Sequence, residues 1–463
     1  MARFAALALV ACGGASPFAR FDERTTPRPT QGWTYEIVAT PHADELVVEA
    51  AFAAGTESEL TVDSGGEPFV DDVAFFDGAR WRAVARKGTS FFVPACAHGC
   101  RVRYRYGLRA SARASVATAS GDAIETLPAT WLLRPLHAEI GTPFRFHVTT
   151  AKDESFASGV FRPNDSYAAV SGPRFELPYS VIGSFRAIDL APIEVAFMPG
   201  RMDHDKDVVA WIEKSARAVS AYYGRFPIAR LLVLVHPTTG NEVDEGRTLG
   251  NGGAAIDIDV GEHATAESLA RDWVLIHEMI HTALPNLAPP HRWLEEGLAT
   301  YVEPLVRVRA GMKTEDDLWR DWIHGMPNGL PEADDQGLDR TPTWGRTYWG
   351  GALFCLLADI AIREQTHGAK SIDDALRGIV AAGGNIGTAW TMDRIVDVGD
   401  AAIGVDALRV LYTKHATAAV AVDLDALWRR LGVAWNGHAI TYDDAAPLAP
   451  IRRAMTARTQ ASP

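Results

Sequence analysis

The stretch His277-Glu278-Met279-Ile280-His281 places two imidazoles and a carboxylate in an arrangement suited to a zinc ion that activates water. The surrounding pattern predicts a helix from Leu269 to Leu284, on which residues four apart lie on the same face. Both histidines can therefore reach one metal ion, while Glu278 lies about 100° round the helix from the first of them. Neutral imidazoles leave a coordination position of zinc open for water, and Glu278 is the group expected to take the proton of that water.

A metal site of this kind needs a third ligand from a second helix, and a suitable segment follows closely. It reads Trp293-Leu294-Glu295-Glu296-Gly297-Leu298-Ala299-Thr300-Tyr301, and the preceding Pro289-Pro290 suit the start of a helix. Glu296 is the expected third ligand, and its neighbour Glu295 is the alternative. The competing interpretation is an amphipathic core helix whose two histidines are incidental, either solvated or bonded to backbone.

The motif HExxH followed by W-L-x-E-G-x-A-x-Y resembles the gluzincin superfamily, which includes thermolysin and aminopeptidase N. The resemblance implies a His-His-Glu zinc site made by His277, His281 and Glu296. It also implies a two-lobed peptidase domain with the metal in the cleft between the lobes. The interval between His281 and Glu296 is shorter than in thermolysin or aminopeptidase N, so a tight loop from Pro285 to Pro290 must join the two ligand helices.

Segments further along the chain narrow the resemblance to the glycyl aminopeptidase family, over residues 193 to 432. These segments are Tyr348-Trp349-Gly350-Gly351-Ala352-Leu353, Leu357-Ala358-Asp359 and Gly368-Ala369-Lys370-Ser371-Ile372-Asp373-Asp374. The family has a tyrosine before a K-G-A-L type helix start, and Gly350 stands here in place of the lysine. The resemblance implies that the hydroxyl of Tyr348 stabilises the oxyanion of the tetrahedral intermediate, a role suited to an uncharged donor. A buried aromatic residue at a helix start is the alternative.

The segment before the predicted metal helix bears on substrate binding. The G-A-M-E-N type signature, which binds a free α-amine in aminopeptidase N, is absent, and residues Gly250 to Asp259 take its place. Their glycines and alternating residues predict an exposed strand, which in gluzincins pairs with the substrate backbone. The candidate substrate-binding residues are Gly252, Gly253, Ala254, Asn241 and Glu242, the last two for a substrate amine. An ordinary edge strand kept soluble by its aspartates is the alternative.

The N-terminus, residues 1–29, is interpreted as a targeting segment and a flexible linker. Met1-Ala2-Arg3 carries one positive charge, Phe4 to Ala11 form a short apolar core, and Leu9 to Gly14 resemble a bacterial lipobox in which Cys12 is lipidated. A cleaved secretory signal is the runner-up, and a cytosolic start with an incidental cysteine is a third interpretation. We therefore expect export to the bacterial cell envelope, in the periplasm or at the outer membrane, with membrane attachment only through a lipid anchor.

The other cysteines agree with export. Cys96 and Cys100 flank a short loop between strand-like segments, and their spacing permits a disulfide in an oxidising compartment. A zinc knuckle would need two further ligands close by, and His98 is the only candidate in this segment. Cys355 lies in an apolar helical pattern and is expected to pack as a small hydrophobic residue.

The charge balance narrows the choice of partners. The chain has 463 residues and a formal net charge of -13 without a Lys/Arg block, which argues against a nucleic-acid partner. No apolar run reaches the ~18 residues that a membrane-spanning helix needs. A peptide or protein substrate is the expected partner, and the sequence leaves the oligomeric state open.

The period of the hydrophobic pattern divides the chain into parts. Residues 30–192 are short alternating segments typical of an antiparallel β-sandwich. After Pro199 the period changes, which indicates an upper α/β lobe over 193–262, a helical lobe with the zinc site over 263–434 and a C-terminal tail over 435–463. The expected fold class is α+β multidomain: an N-terminal β-sandwich followed by a two-lobed, thermolysin-like zincin domain with a helical C-terminal lobe.

Together these patterns predict a zinc-dependent metallopeptidase in which Glu278 acts as general base, with aminopeptidase activity as the form that the resemblance implies. Two other classes of function stay open. One is a zinc hydrolase that acts on a non-peptide substrate. The other is an envelope binding protein that has the gluzincin fold but no activity.

Overall fold

A computed structural model describes residues 18, 21, 29–63, 65–94, 96–172 and 175–457 of the chain. The expected lipidation site Cys12 and the apolar core before it lie outside these residues. Phe18 and Phe21, which fall within the expected linker, are buried beside Val47. In the described ranges, no helix combines the length and the apolar character that a membrane crossing requires.

The N-terminal part consists of short strands whose alternating residues point into a shared apolar core. Its strands are β1 (Trp33–Ala39), β2 (Leu46–Ala54), β3 (Glu59–Thr61), β4 (Val70–Phe76), β5 (Trp81–Ala83), β6 (Arg86–Lys87), β7 (Ser90–Phe92), β8 (His98–Tyr106), β9 (Thr118–Ser120), β10 (Ala123–Thr126), β11 (Arg134–Pro135), β12 (Pro143–Thr149), β13 (Ser155–Ser158), β14 (Tyr167–Val170) and β15 (Ser180–Gly183). Among the described residues they form three sheets, in the orders β14-β12-β1-β2-β8-β4-β5, β13-β15-β10-β9 and β11-β3-β7-β6.

One detail of this part differs from the expected antiparallel sandwich. β1 and β12 run parallel, with Trp33 opposite Phe144, and a short helix α1 (Leu108–Arg113) lies between β8 and β9. Alternation along a strand shows which side chains face the core, but the direction of pairing depends on how a long connection returns the chain to the sheet.

The next unit is a sheet with five strands among the described residues, in the order β16-β17-β18-β20-β19. The strands are β16 (Arg186–Leu190), β17 (Ile193–Phe197), β18 (Leu231–Thr238), β19 (Val243–Gly250) and β20 (Ala254–Gly261), and helix α2 (Asp205–Tyr223) connects β17 to β18. β16 and β17 pair antiparallel, so this sheet begins before the predicted boundary at residue 193. One face packs on helices and the other on the N-terminal strands, which explains the continuous apolar run of β18.

The strand expected at the exposed edge is an inner strand. β20, which contains the alternation from Ala255 to Val260, lies between β18 and β19. The edge is formed by β19, whose polar sequence from Val243 to Gly250 shows neither alternation nor β-branched enrichment. The prediction of a strand in this region is therefore confirmed, but the prediction that this strand forms the edge of the sheet is wrong.

Helices dominate the rest of the chain. They are α3 (Ala266–Arg271), α4 (Val274–His281), α5 (Arg292–Arg309), α6 (Glu315–Gly325), α7 (Gly351–Gln365), α8 (Ile372–Ala381), α9 (Met392–Ile403), α10 (Ala407–His415), α11 (Leu424–Leu431) and α12 (Ala449–Thr456). The single helix expected from Leu269 to Leu284 is divided into α3 and α4, so that prediction is corrected. Asp272 is extended, and its carboxylate accepts hydrogen bonds from the backbone N–H groups of Val274 at 2.9 Å and Leu275 at 3.1 Å, which starts a new helix.

The helix α5 packs closely against α7 at two glycines. A Cβ atom on Gly297 would lie 2.3 Å from the Cα atom of Gly351, so only glycine permits this approach. The segment Leu357-Ala358-Asp359 has a structural role, because the carboxylate of Asp359 accepts a hydrogen bond of 2.9 Å from the backbone N–H of Ile372 at the start of α8.

Residues expected to form a C-terminal tail are folded onto the helical lobe. Strands β21 (Val433–Trp435) and β22 (Ile440–Tyr442) form a hairpin, and α12 follows it. Arg309 of α5 donates a hydrogen bond of 2.8 Å to the carbonyl of Met455, which ties α12 to the lobe.

Three of the cysteines lie within the described residues. Cys96 and Cys100 form a disulfide bond, and Cys355 has a free thiol that is buried in α7. Burial raises the pKa of the Cys355 thiol, which is consistent with a packing role.

Candidate active site

Three side chains from two helices converge on one point. His277 and His281 project from α4, and Glu296 projects from α5. The Oε2 atom of Glu296 lies 3.5 Å from Nε2 of His277 and 3.6 Å from Nε2 of His281. With metal–ligand bonds of about 2.1 Å and tetrahedral angles, the ligand atoms of a zinc site are separated by ~3.4 Å. Both separations from Glu296 match this value, and all three ligand atoms lie within 4.8 Å of one another, so they are suited to one tetrahedral ion with a fourth position left for water.

The structure distinguishes the two adjacent glutamates of α5. The carboxylate of Glu295 accepts a hydrogen bond of 2.8 Å from the backbone N–H of Leu287, and burial raises its pKa to about 7. Glu295 thus closes the loop between the two helices, and Glu296 is the residue that faces the histidines.

Burial and the contacts within the cluster shift the pKa values of His281 and Glu296. Burial lowers the pKa of His281, which favours the neutral imidazole that binds metal. Burial alone would raise the pKa of Glu296, but interactions with His277 and His281 outweigh it and lower that pKa to about 2. Two imidazoles and one carboxylate form the donor set, which suits zinc.

Glu278 lies on α4 beside the edge strand β19, and two residues of that strand hold it. The hydroxyl of Thr248 donates a hydrogen bond of 2.6 Å to Oε2 of Glu278. A Cβ atom on Gly246 would lie 2.8 Å from Cγ of Glu278 and 2.8 Å from Cγ1 of Val274. The carboxylate therefore packs against the bare backbone of Gly246 while the hydroxyl of Thr248 orients it.

Thr248 and Gly246 are site residues that the sequence did not reveal. Their only sequence signal is a glycine two residues before a threonine in the polar segment ahead of the HExxH helix, which is too common to be diagnostic. The pairing of β19 with β20, with Thr248 opposite Ile256, is what brings them to Glu278.

Tyr348 lies in a π-helical turn, Arg346–Gly350, directly before α7. Burial and then the Glu296 carboxylate raise the pKa of its phenol, so the hydroxyl is a protonated donor at neutral pH. The structure therefore places Tyr348 beside the third ligand candidate.

Two tryptophans with exposed side chains adjoin these residues. Trp273 is 52% exposed, and its ring centroid lies 5.4 Å from that of His277. Trp344 is 64% exposed and lies 6.1 Å from the ring of Tyr348. Both indole rings are therefore open to apolar groups of a ligand beside these residues.

The candidate substrate-binding residues are placed differently. Gly252 and Gly253 lie in the turn from β19 to β20, and Ala254 begins β20. All three make backbone contacts with the N-terminal part, where the backbone N–H of Ala254 donates to the carbonyl of Gly159 at 2.9 Å. Glu242 forms an exposed ion pair of 3.4 Å with Arg271, and Asn241 is exposed in the turn before β19. The structure does not bring these five residues to the cluster of His277, His281 and Glu296.

Comparison with solved structures identifies the fold. An aminopeptidase N family protein from Idiomarina loihiensis is similar over 87% of this chain and 78% of its own, with a TM-score of 0.62 and 14% identity. An M1 zinc metallopeptidase from Deinococcus radiodurans is similar over 84% of this chain and 94% of its own, with a TM-score of 0.51 and 15% identity. A variant of the Deinococcus radiodurans enzyme with the tripeptide Tyr-Ser-Ala bound is similar over 85% of this chain and 94% of its own, with a TM-score of 0.50 and 14% identity.

These structures define the class of fold. The chain has the α+β fold of the M1 zinc metallopeptidases, with β-rich sheets followed by a helical region, and the predicted α+β fold class is confirmed. No family model matches the sequence, and no curated protein is significantly similar to it.

Proposed function

We propose that this protein is a zinc-dependent metallopeptidase, which hydrolyses peptide bonds with water. The observation that carries the proposal is the convergence of His277, His281 and Glu296 beside the carboxylate of Glu278. The likeness to M1 zinc metallopeptidases supports it at the level of the fold.

The residues that would hold zinc are the two imidazoles and the Glu296 carboxylate, whose spacing and donor chemistry fit the ion. When bound there, zinc supplies a Lewis acid that polarises a carbonyl group and makes water more acidic. Glu278 accepts the proton of the attacking water and passes it to the leaving amine, and Thr248 keeps its carboxylate oriented for both transfers. Tyr348 donates a hydrogen bond to the oxyanion that develops on the scissile carbonyl.

The edge strand and the two tryptophans support a peptide substrate. β19 is the terminal strand of its sheet and passes beside Glu278, so an extended peptide can pair with its outer edge. Trp273 and Trp344 can then contact apolar side chains on either side of the scissile bond. We include aminopeptidase cleavage in the proposal, in line with the aminopeptidase N family relative.

A peptide library with matched copies that are blocked at the N-terminus tests this function. Release of single N-terminal residues from free peptides, with no cleavage of blocked ones, is the expected result. Internal cleavage of both sets would show an endopeptidase, whereas hydrolysis of esters or epoxides without peptide cleavage would favour the non-peptide hydrolase. Absence of turnover with metal bound would favour the inactive binding protein.

Replacing Tyr348 by phenylalanine is expected to lower kcat by about 10²–10³-fold, because one oxyanion donor is lost while the ring is kept. Steady-state kinetics on a cleaved peptide and metal analysis check this result. Tyr442→Phe is the matched control. Tyr442 lies in the C-terminal hairpin, and its hydroxyl donates a hydrogen bond to Asp316 of α6. An unchanged kcat in Tyr348→Phe would show that the Tyr348 hydroxyl does not stabilise the oxyanion.

Replacing Gly246 by alanine is expected to lower kcat by about 10–100-fold, because the added methyl group displaces Glu278. Metal content should remain unchanged, since the methyl group meets no ligand candidate. Gly107→Ala serves as control: its Cβ would meet nothing closer than 3.4 Å, and kcat should be that of the parent protein. Full activity in Gly246→Ala would show that the position of Glu278 does not depend on this contact.

We also propose that the protein is exported to the bacterial cell envelope and anchored there through a lipid on Cys12. The lipobox-like sequence and the Cys96–Cys100 disulfide, which is typical of oxidising compartments, support this location. Fractionation of a bacterium that expresses the full chain tests it: recovery in the cytosol would contradict export, and recovery as free periplasmic protein would contradict the anchor.

A further inference from the structure

A second cluster of metal-ligating side chains lies outside the active site, between the N-terminal strands and the five-stranded sheet. It consists of Glu125 on β10, His236 on β18 and Asp257 on β20. The Nε2 atom of His236 lies 3.2 Å from Oε2 of Glu125 and 3.1 Å from Oδ1 of Asp257. The three side chains thus come from both parts of the molecule and meet at one atom of His236.

The polar atoms of this cluster are poorly satisfied by the protein alone. Nε2 of His236, Oε1 of Glu125 and Oδ1 of Asp257 are buried and have no hydrogen-bond partner among the described residues. The Glu125 side chain is only 5% exposed, and a buried carboxylate oxygen such as Oε1 that lacks a hydrogen-bond partner is unfavourable. One Nε2–H group between two carboxylates can make only a shared, three-centre hydrogen bond, whereas an ion at this position would be a ligand partner for both carboxylates.

We propose that Glu125, His236 and Asp257 bind a second divalent ion, Zn²⁺ or Mn²⁺. The spacing of 3.1 to 3.2 Å between Nε2 and the two oxygens lies between the ~3.0 Å expected for ligands at right angles and the ~3.4 Å expected for tetrahedral ligands, with bonds of about 2.1 Å. One imidazole and two carboxylates suit these ions, whereas Ca²⁺ takes about six to eight oxygen ligands. Asp257 is half-buried and gives the ion a route from solvent.

The position of the cluster indicates a structural role for the ion. Around it, Ala123 and Val181 of the N-terminal part pack against Leu234 and Ala255 of the sheet in a small apolar core. Asp257 also pairs in register with Arg247, the residue before Thr248 on the edge strand. An ion shared by Glu125 and Asp257 would therefore fix the N-terminal part against the sheet that presents β19 to the active site.

The alternative occupant is a proton. Burial alone would lower the pKa of His236, but Asp257 and Glu125 outweigh it and raise that pKa to about 10. Asp259 and Arg247 also face this cluster, and the nearby Tyr179 has its pKa raised to about 12 by burial and by the two carboxylates. Without metal, the cluster is an imidazolium held between two carboxylates, so metal content distinguishes the two occupants.

Metal analysis of the full chain, after incubation with Zn²⁺ and removal of free ion, tests the proposal. We expect two ions per chain in the parent protein, one in Glu296→Ala, one in Asp257→Asn and none in the double variant. In the Glu296→Ala background, added Zn²⁺ should raise Tm by several degrees, and Asp257→Asn should abolish this rise. Mn²⁺ in a parallel series establishes which ion binds more tightly.

The matched control is His263→Gln. His263 also lies near two carboxylates, with Nδ1 2.8 Å from Asp203 and Nε2 3.7 Å from Glu262, but it is exposed and should leave metal content unchanged. One ion in the parent protein and none in Glu296→Ala would overturn the second site while leaving the proposed peptidase function intact. If Asp257→Asn does not fold, His236→Gln replaces it, and the ion that Glu296→Ala retains must then be lost in the double variant Glu296→Ala/His236→Gln.

Discussion

Replacing Glu278 by glutamine is expected to reduce kcat by about 10²–10⁴-fold while the metal content stays that of the parent protein. The amide has nearly the shape of the carboxylate, and its oxygen can still accept the hydrogen bond from Thr248. It cannot take a proton from water, so the general base is lost without disturbance of the fold. Turnover of a peptide substrate, metal analysis and Tm are the three measurements.

Glu295→Gln is the matched control for this variant. Glu295 is also a buried glutamate near the cluster, but it accepts a hydrogen bond from the backbone of Leu287, which the amide oxygen can maintain. Its pKa of about 7 means that a neutral side chain is already well populated at neutral pH. We expect near-parental kinetics. Peptide hydrolysis at the parental rate in Glu278→Gln would refute the assignment of Glu278 as the base.

Replacing Glu296 by alanine is expected to weaken zinc binding at the active site by more than about 100-fold and to abolish peptide hydrolysis. Loss of outer-shell partners alone commonly costs 10–100-fold in metal affinity, and Glu296 is a direct ligand candidate at 3.5 Å from His277 and 3.6 Å from His281. Metal titration of the stripped protein, followed by activity with zinc restored, measures both effects.

Arg292→Ala separates the role of the carboxylate from that of its ion pair. Arg292 lies 3.3 Å from Oε1 of Glu296, but its side chain is 67% exposed, and exposed ion pairs contribute little. We expect parental metal content and activity in Arg292→Ala. If Glu296→Ala kept the zinc affinity of the parent protein, the two histidines would need a different third ligand.

Local spacing explains why so much of the metal cluster could be read from the sequence. Two histidines four residues apart share a helix face whatever the rest of the fold does, and the glutamate before Gly297 lies on the next long helix of the chain. The choice between Glu295 and Glu296 could not be made in this way. Adjacent residues of a helix differ by about 100° in direction, and only the packing of α5 on α4 shows which one faces the histidines.

The pairing between strands was the feature that the sequence predicted least well. β19 has a polar sequence, so periodicity did not mark it as a strand, and the edge was assigned to β20. The second cluster is made by residues that are far apart in the chain and belong to no motif: Glu125, His236 and Asp257. The sequence therefore does not predict that they lie together. The break at Asp272 was missed because an aspartate that caps a helix and one on a helix surface look alike in a single sequence.

The sequence by itself determined the HExxH pair, the short list of third ligands and the change from strands to helices, because each rests on periodicity or on spacing within one element, and its resemblance to the gluzincins implied the class of fold. Only the tertiary structure decided that Glu296 completes the cluster, that Thr248 and Gly246 hold Glu278, and that β19 forms the edge. These features are contacts between segments distant in the chain, and their geometry depends on how sheets and helices pack rather than on any local pattern.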